Sequence, residues 1–235
     1  MLERIELFLL FAPVLLMSMV AHEYAHGYAA LKQGDPTAQQ LGRLTWNPAR
    51  HIDPVMTVVL PLLTYFGGSL FGQPLIFGGA KPVPVDPRNY RSYRKGDIIV
   101  SLAGVATNAV LAVVCTLMIV LVGLVARAIP AASTPVALLQ SMFITGISFN
   151  LVLVAFNLLP IPPLDGSHVV KHFLPRRVAV VYQRLGFYGM FIILGLLWFG
   201  RDTLMWWMRP VAVVFRTALR TVMPYVVPSP WTSIY

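Results

Sequence analysis

From Ile98 to Ala126 the chain runs twenty-nine residues without a charged side chain. As a helix that run is about 43 Å long, more than the roughly 30 Å hydrocarbon core of a bilayer. Further apolar runs cover 5–31, 55–77, 136–159 and 185–200. Only 11% of the residues are charged, where soluble domains average roughly 25%. The expected fold is therefore an all-α polytopic membrane protein, a bundle of transmembrane helices in the lipid bilayer. No internal repeat and no separate soluble domain is visible. The whole chain, 1–235, is read as one integral membrane domain, with its core at 5–175 and additional transmembrane or interfacial helices at 185–235.

The apolar runs differ in how they are punctuated. Glu3 and Glu6 spoil the positive start of a signal peptide, and Met19 is a poor residue three places before a cleavage after Ala21. The run 5–31 is thus expected to be a retained membrane helix. The run 55–77 contains Pro61, Gly67, Gly68, Gly72 and Pro74, which suits a re-entrant hairpin covered by protein better than a clean crossing. The segment 78–97 holds three prolines and five basic side chains and reads as an extended loop. At 185–200 the run is short for a crossing. In the tail 203–227, Arg209, Arg216 and Arg220 share one helical face beside Trp206 and Trp207. That pattern predicts a helix lying in the membrane interface.

The net charge of +9 is spread over short connections, so it speaks for cytoplasmic loops rather than for nucleic-acid binding. Twelve Lys and Arg lie on 32–54, 78–97 and 160–184, against Arg127 alone at the 127–135 turn. The three basic connections are expected on the cytoplasmic side. Cys115 is the one cysteine, so no intrachain disulfide forms.

Against this apolar background, "HEYAH" places His22, Glu23 and His26 on the first long run. Residues four apart on a helix lie one above the other. Two imidazoles so placed can grip one Zn²⁺, with the neighbouring glutamate as general base. A charged group near mid-membrane costs roughly 2.5–3.5 kcal/mol, and a bound metal would compensate all three. A catalytic zinc needs a third protein ligand. Between Ile98 and Arg201 the one acid is Asp165, in "NLLPIPPLDGSH". It reads as that ligand, with helix capping as the alternative role. His168 and His172 are also four apart but lack the glutamate, and read as an interfacial helix face. His51 reads as a loop contact.

These two motifs together resemble the site-2 protease family of intramembrane zinc metalloproteases, in its compact bacterial branch. The second signature, N-x-x-P-x-P-x-x-D-G, is Asn157 to Gly166. "LAGVATN", 102–108, resembles the family's Ala-Gly-Pro-x-x-Asn helix, with Val105 where proline is usual. The resemblance covers roughly 8–170. It implies one zinc per chain on His22, His26 and Asp165, Glu23 as catalytic base, and Asn157 as a donor to the oxyanion. Asn108 is a weaker candidate of that kind, and a polar helix–helix contact suits it equally. The implied activity is endopeptidase cleavage within or near transmembrane segments of other proteins, in a multi-pass protein of the bacterial cytoplasmic membrane. The segments 55–77 and 78–97 are expected to offer backbone groups to an unwound substrate strand. A catalytically silent metal-binding protein that chaperones membrane clients is the alternative, and a metal transporter a third. The intact Glu23 speaks against the silent protein, and the single cluster of ionisable groups against the transporter.

Overall fold

The computed structural model describes residues 2–67 and 78–228. Among the described residues all regular structure is helical. The elements are α1 Leu2–Gln33, α2 Thr37–Gln40, α3 Leu60–Phe66, α4 Tyr93–Ala128 and α5 Ser133–Asn157. They continue with α6 Asp165–Val170, α7 Arg176–Arg184, α8 Gly189–Phe199 and α9 Arg201–Val222. Among the described residues three helical stretches are each long and apolar enough to cross a membrane: Ile5–Gln33, Tyr93–Ala128 and Pro130–Asn157. They contain or closely match the three long runs expected from the sequence. α4 continues unbroken through Val105. α8 has 11 residues, about half the length a crossing requires.

The chain divides into two compact units. One comprises Met1–Ser18, Asn108–Ala155 and Trp206–Tyr235; the other comprises Met19–Thr107 and Phe156–Met205. The boundaries fall inside α1, α4, α5 and α9.

In the first unit, Ala112 and Ile119 of α4, Ile144, Ile147 and Leu151 of α5, and Val222 of α9 form a buried cluster. Val211, Phe215 and Leu219 pack on it. With Val222 these recur at helical spacing and make one apolar face of α9. The Trp207 indole N–H donates to the Ala155 carbonyl at 2.8 Å. At the other end the Gln140 amide donates to Tyr225 O at 2.9 Å and accepts from Val227 N–H at 2.8 Å. α9 therefore runs antiparallel beside α5 for most of its length. This corrects the expected interfacial placement. The charge pattern gave the right exposed face, with Arg209, Arg216 and Arg220 outward, but the opposite face packs lengthwise on candidate spans. Trp207 is tied inside the unit rather than serving as an interfacial anchor.

The same unit buries a polar knot. Asn108 donates to Asn150 Oδ1 at 2.8 Å and to Ser18 O at 3.2 Å. Asn150 donates to Ser18 Oγ at 3.0 Å. Such interhelical bonds average about 0.6 kcal/mol in a membrane protein. Asn108 thus makes the helix–helix contact that the sequence left open.

In the second unit, Asp53 caps the helix that starts at Pro54, accepting from Val55 N–H and Met56 N–H at 3.0 and 2.8 Å. One π-helical turn, Pro54–Val59, leads into α3. By Gly79 the chain is back where it left: Gly79 N–H donates to Met56 O at 2.9 Å, and Thr57 Oγ1 donates to Gly79 O at 2.6 Å. A single crossing would hold those ends roughly 30 Å apart, so the closeness of the two ends fits the expected hairpin. Residues 68–77 of that segment lie outside the described residues.

The returning chain is then stapled to the end of α1. Arg91 N–H donates to Gln33 O at 2.8 Å. Buried Asp35 accepts from Thr37, from Asn89 Nδ2 and from Asp86 N–H. Burial opposes its charge, but these donors outweigh that and hold its pKa below the usual carboxylate range.

Candidate metal centre

The metal-binding candidates meet in the second unit. His22 and His26 lie one turn apart on α1, with their Nε2 atoms 2.9 Å apart and their rings edge-on at 82°. Asp165 Oδ2 lies 3.2 Å from His22 Nε2 and 3.4 Å from His26 Nε2. Ligands around a tetrahedral zinc with ~2.0–2.1 Å bonds sit roughly 3.3 Å from one another. The three separations bracket that value. Among the described residues this is the one group of three such side chains close enough to hold a metal ion.

Each arm is prepared for that role. His26 Nδ1 lies 2.7 Å from the Val100 carbonyl. A carbonyl only accepts, so Nδ1 carries the proton and Nε2 presents its lone pair to the centre. Asp165 is the first residue of α6 and makes no capping hydrogen bond. Its Oδ2 is buried without a hydrogen-bond donor, so the capping alternative gives way and the carboxylate is turned to the imidazoles. An orphaned buried oxygen facing the His26 lone pair, with the His22 ring beside it, is a set that a cation would complete.

The turn Leu158–Leu164 delivers Asp165. Leu159, Ile161 and Leu164 N–H groups close successive short backbone bonds, and the Pro162–Pro163 peptide is cis. Gly166 completes it: a Cβ there would collide with the Leu158 carbonyl. Asn157 is the last residue of α5, eight positions before Asp165 and half-buried.

Glu23 is held from a third direction. Its Oε2 accepts from Val83 N–H at 2.7 Å. This changes the reading of the loop. Lys81 N–H donates to His51 O at 2.8 Å, Asp86 N–H to Asp35, and Pro82 and Pro84 have no N–H. The donors at 81, 83 and 86 are thus spent inside the fold. The expectation that this stretch pairs with a substrate strand is corrected for the N–H groups of 81–84, because those N–H groups anchor Glu23 and the loop itself. His51 is a buried loop contact, as expected, with Nε2 donating to Thr45 O at 2.9 Å.

Two contributors were not singled out in the sequence. Gly104 of α4 lies against the imidazoles. A Cβ there would stand 2.6 Å from both His22 Cε1 and His26 Nε2, so only glycine lets the rings occupy this place. Its place in "LAGVATN" was the available signal. Gly104→Ala is expected to push the imidazoles apart, with loss of most bound zinc and at least about 1–3 kcal/mol of stability. Metal content and thermal melting of the purified variant check this; unchanged zinc would show that the rings yield freely.

The second is Asp97, buried where α4 begins. Lys171 Nζ and His172 Nε2 reach its Oδ2 at 2.7 and 2.6 Å, and His168 Nδ1 reaches Oδ1 at 3.5 Å. His172 thus joins Lys171 in an anchor on buried Asp97 rather than forming the expected interfacial face, with part-exposed His168 at its edge. The anchor ties the stretch just after Asp165 to α4. The signal was the position of Asp97 as the last charge before the uncharged run.

With this geometry in view, comparison with known proteins is informative. The model of peptidase family M50, the site-2 protease family, matches residues 10–197. The chain belongs to that family. The M50 chain is 36% identical over 180 residues to a Bacillus subtilis protein named "Putative zinc metalloprotease YwhC", covering 77% of this chain and 76% of that one. It is 33% identical over 202 residues to a Mycolicibacterium smegmatis protein named "Putative zinc metalloprotease Rip2", covering 82% and 69%. No solved structure matches it. Membership makes this M50 chain a multi-pass membrane protein and a zinc-dependent intramembrane protease.

Proposed function

We propose that His22, His26 and Asp165 hold the single zinc of this protease, and that Glu23 is its general base. The observation that carries this is the triangle of 2.9, 3.2 and 3.4 Å with its orphaned carboxylate oxygen. Zinc, when bound, supplies Lewis-acid polarisation of the scissile carbonyl. Glu23 takes the proton of the attacking water on the carboxylate oxygen that Val83 does not occupy, and returns it to the leaving amine. The Asn157 amide donates to the developing oxyanion. Val100 fixes the His26 tautomer, and Gly104 gives the rings their room.

The substrates are transmembrane segments of other proteins, unwound near the site. Co-reconstituted in vesicles, the wild-type chain should cut a single-span protein at its membrane segment. The cut should stop on zinc chelation and return with added zinc. Cleavage confined to soluble peptides would contradict this substrate class.

The membrane is the bacterial cytoplasmic membrane, with 32–54, 78–97 and 160–184 inside and the 127–135 turn outside. Support comes from the distribution of basic residues and from the closeness of Gly79 to Met56. In a Cys115→Ser background, an impermeant thiol reagent on intact cells should label Ser133→Cys and spare Arg91→Cys. Labelling at 91 would reverse the orientation.

A further inference from the structure

A cavity lies within the same unit as the candidate metal centre. It measures about 880 Å³ and opens among the first turn of α4, the Lys171–Phe173 turn and α7. Arg94, Arg176 and Arg184 stand on its wall, and among the described residues none of them makes an ion pair. Lys171 and His172 also line it but are turned to Asp97. Gln183 lines it too, and its Nε2 is buried without an acceptor. Three exposed guanidinium groups without an ion pair, beside an orphaned amide donor, suit an anion rich in acceptor oxygens.

The surroundings narrow the anion. The cavity begins at Tyr93 and Arg94, and past Asp97 the chain is uncharged to Ala126. That is the level at which a helix passes from headgroups into hydrocarbon. Leu174 and Val180 give the wall an apolar side. Val180 on the wall is 54% exposed, and Phe173, which carries Arg94 over its ring at 5.6 Å, is 73% exposed. A soluble phosphate compound has no use for such a rim, whereas a phospholipid needs a cationic seat and an apolar wall together.

We infer that this cavity binds the phosphate headgroup of one anionic phospholipid, with an acyl chain along Leu174 and Val180. The seat touches Lys171 and His172, the residues that anchor the stretch after Asp165, so lipid and metal centre share one short element.

The test is native mass spectrometry of the full-length protein in maltoside detergent, titrated with phosphatidylglycerol, phosphatidylcholine or inorganic pyrophosphate. Wild type should retain one phosphatidylglycerol at least tenfold more tightly than phosphatidylcholine. Arg94→Gln/Arg176→Gln/Arg184→Gln should lose that preference, and the single variant Arg184→Gln should weaken it severalfold if the triple variant does not fold. Arg177→Gln, on the same helix but outside the cavity, should leave it unchanged. Equal weakening by Arg177→Gln would overturn the proposal in favour of diffuse charge. Equal retention of phosphatidylcholine, or tight pyrophosphate binding that phosphatidylglycerol does not displace, would overturn it as well.

Discussion

Asp165→Ala is expected to leave a folded membrane protein that no longer holds zinc. Removing a residue that only supports a metal ligand typically costs 10–100-fold in metal affinity, so removing a ligand itself should cost more than about 100-fold. The His pair alone gives two donors, one fewer than a catalytic zinc site requires. The fold should tolerate the change, because Asp165 makes no capping bond and the α6 turn is set by Gly166 and the prolines before it. Zinc content after dialysis against a weak chelator is the readout. Stoichiometric zinc in Asp165→Ala would remove this residue from the centre.

Glu23→Gln should separate metal binding from chemistry. Glutamine is isosteric and its side-chain oxygen still accepts from Val83 N–H, so the loop at 81–86 should stay in place. The amide cannot take a proton from water, and general-base catalysis is worth roughly 10²–10⁴-fold. Cleavage of the single-span substrate should fall by about that factor with zinc content unchanged. Wild-type cleavage by this variant would contradict the role of Glu23. Loss of zinc together with activity would recast the residue as a ligand.

The cluster of His22, His26 and Asp165 was legible in the sequence to the extent that its geometry is local. An i,i+4 pair on a helix faces one way whatever the rest of the chain does, and a single acid in a hundred apolar residues is conspicuous. The supports were not legible, because they depend on contacts across long sequence separations. Val83 reaches Glu23 from sixty positions away, Val100 reaches His26 from seventy-four, and Lys171 and His172 close on Asp97. Gly104 stands in a motif, yet only the approach of two imidazoles explains why it must be glycine. The tail shows the same limit. The spacing of Arg209, Arg216 and Arg220 fixes which face of α9 is polar. It does not fix the direction of the helix axis, which Trp207, Gln140 and the apolar cluster decide.

The metal position itself can be seen directly. Crystals of the purified chain measured at the zinc absorption edge should give one anomalous peak, within about 2.2 Å of His22 Nε2, His26 Nε2 and an Asp165 carboxylate oxygen. A peak at Asp97, His168 and His172 instead, or none at the His22–His26 pair, would contradict the account.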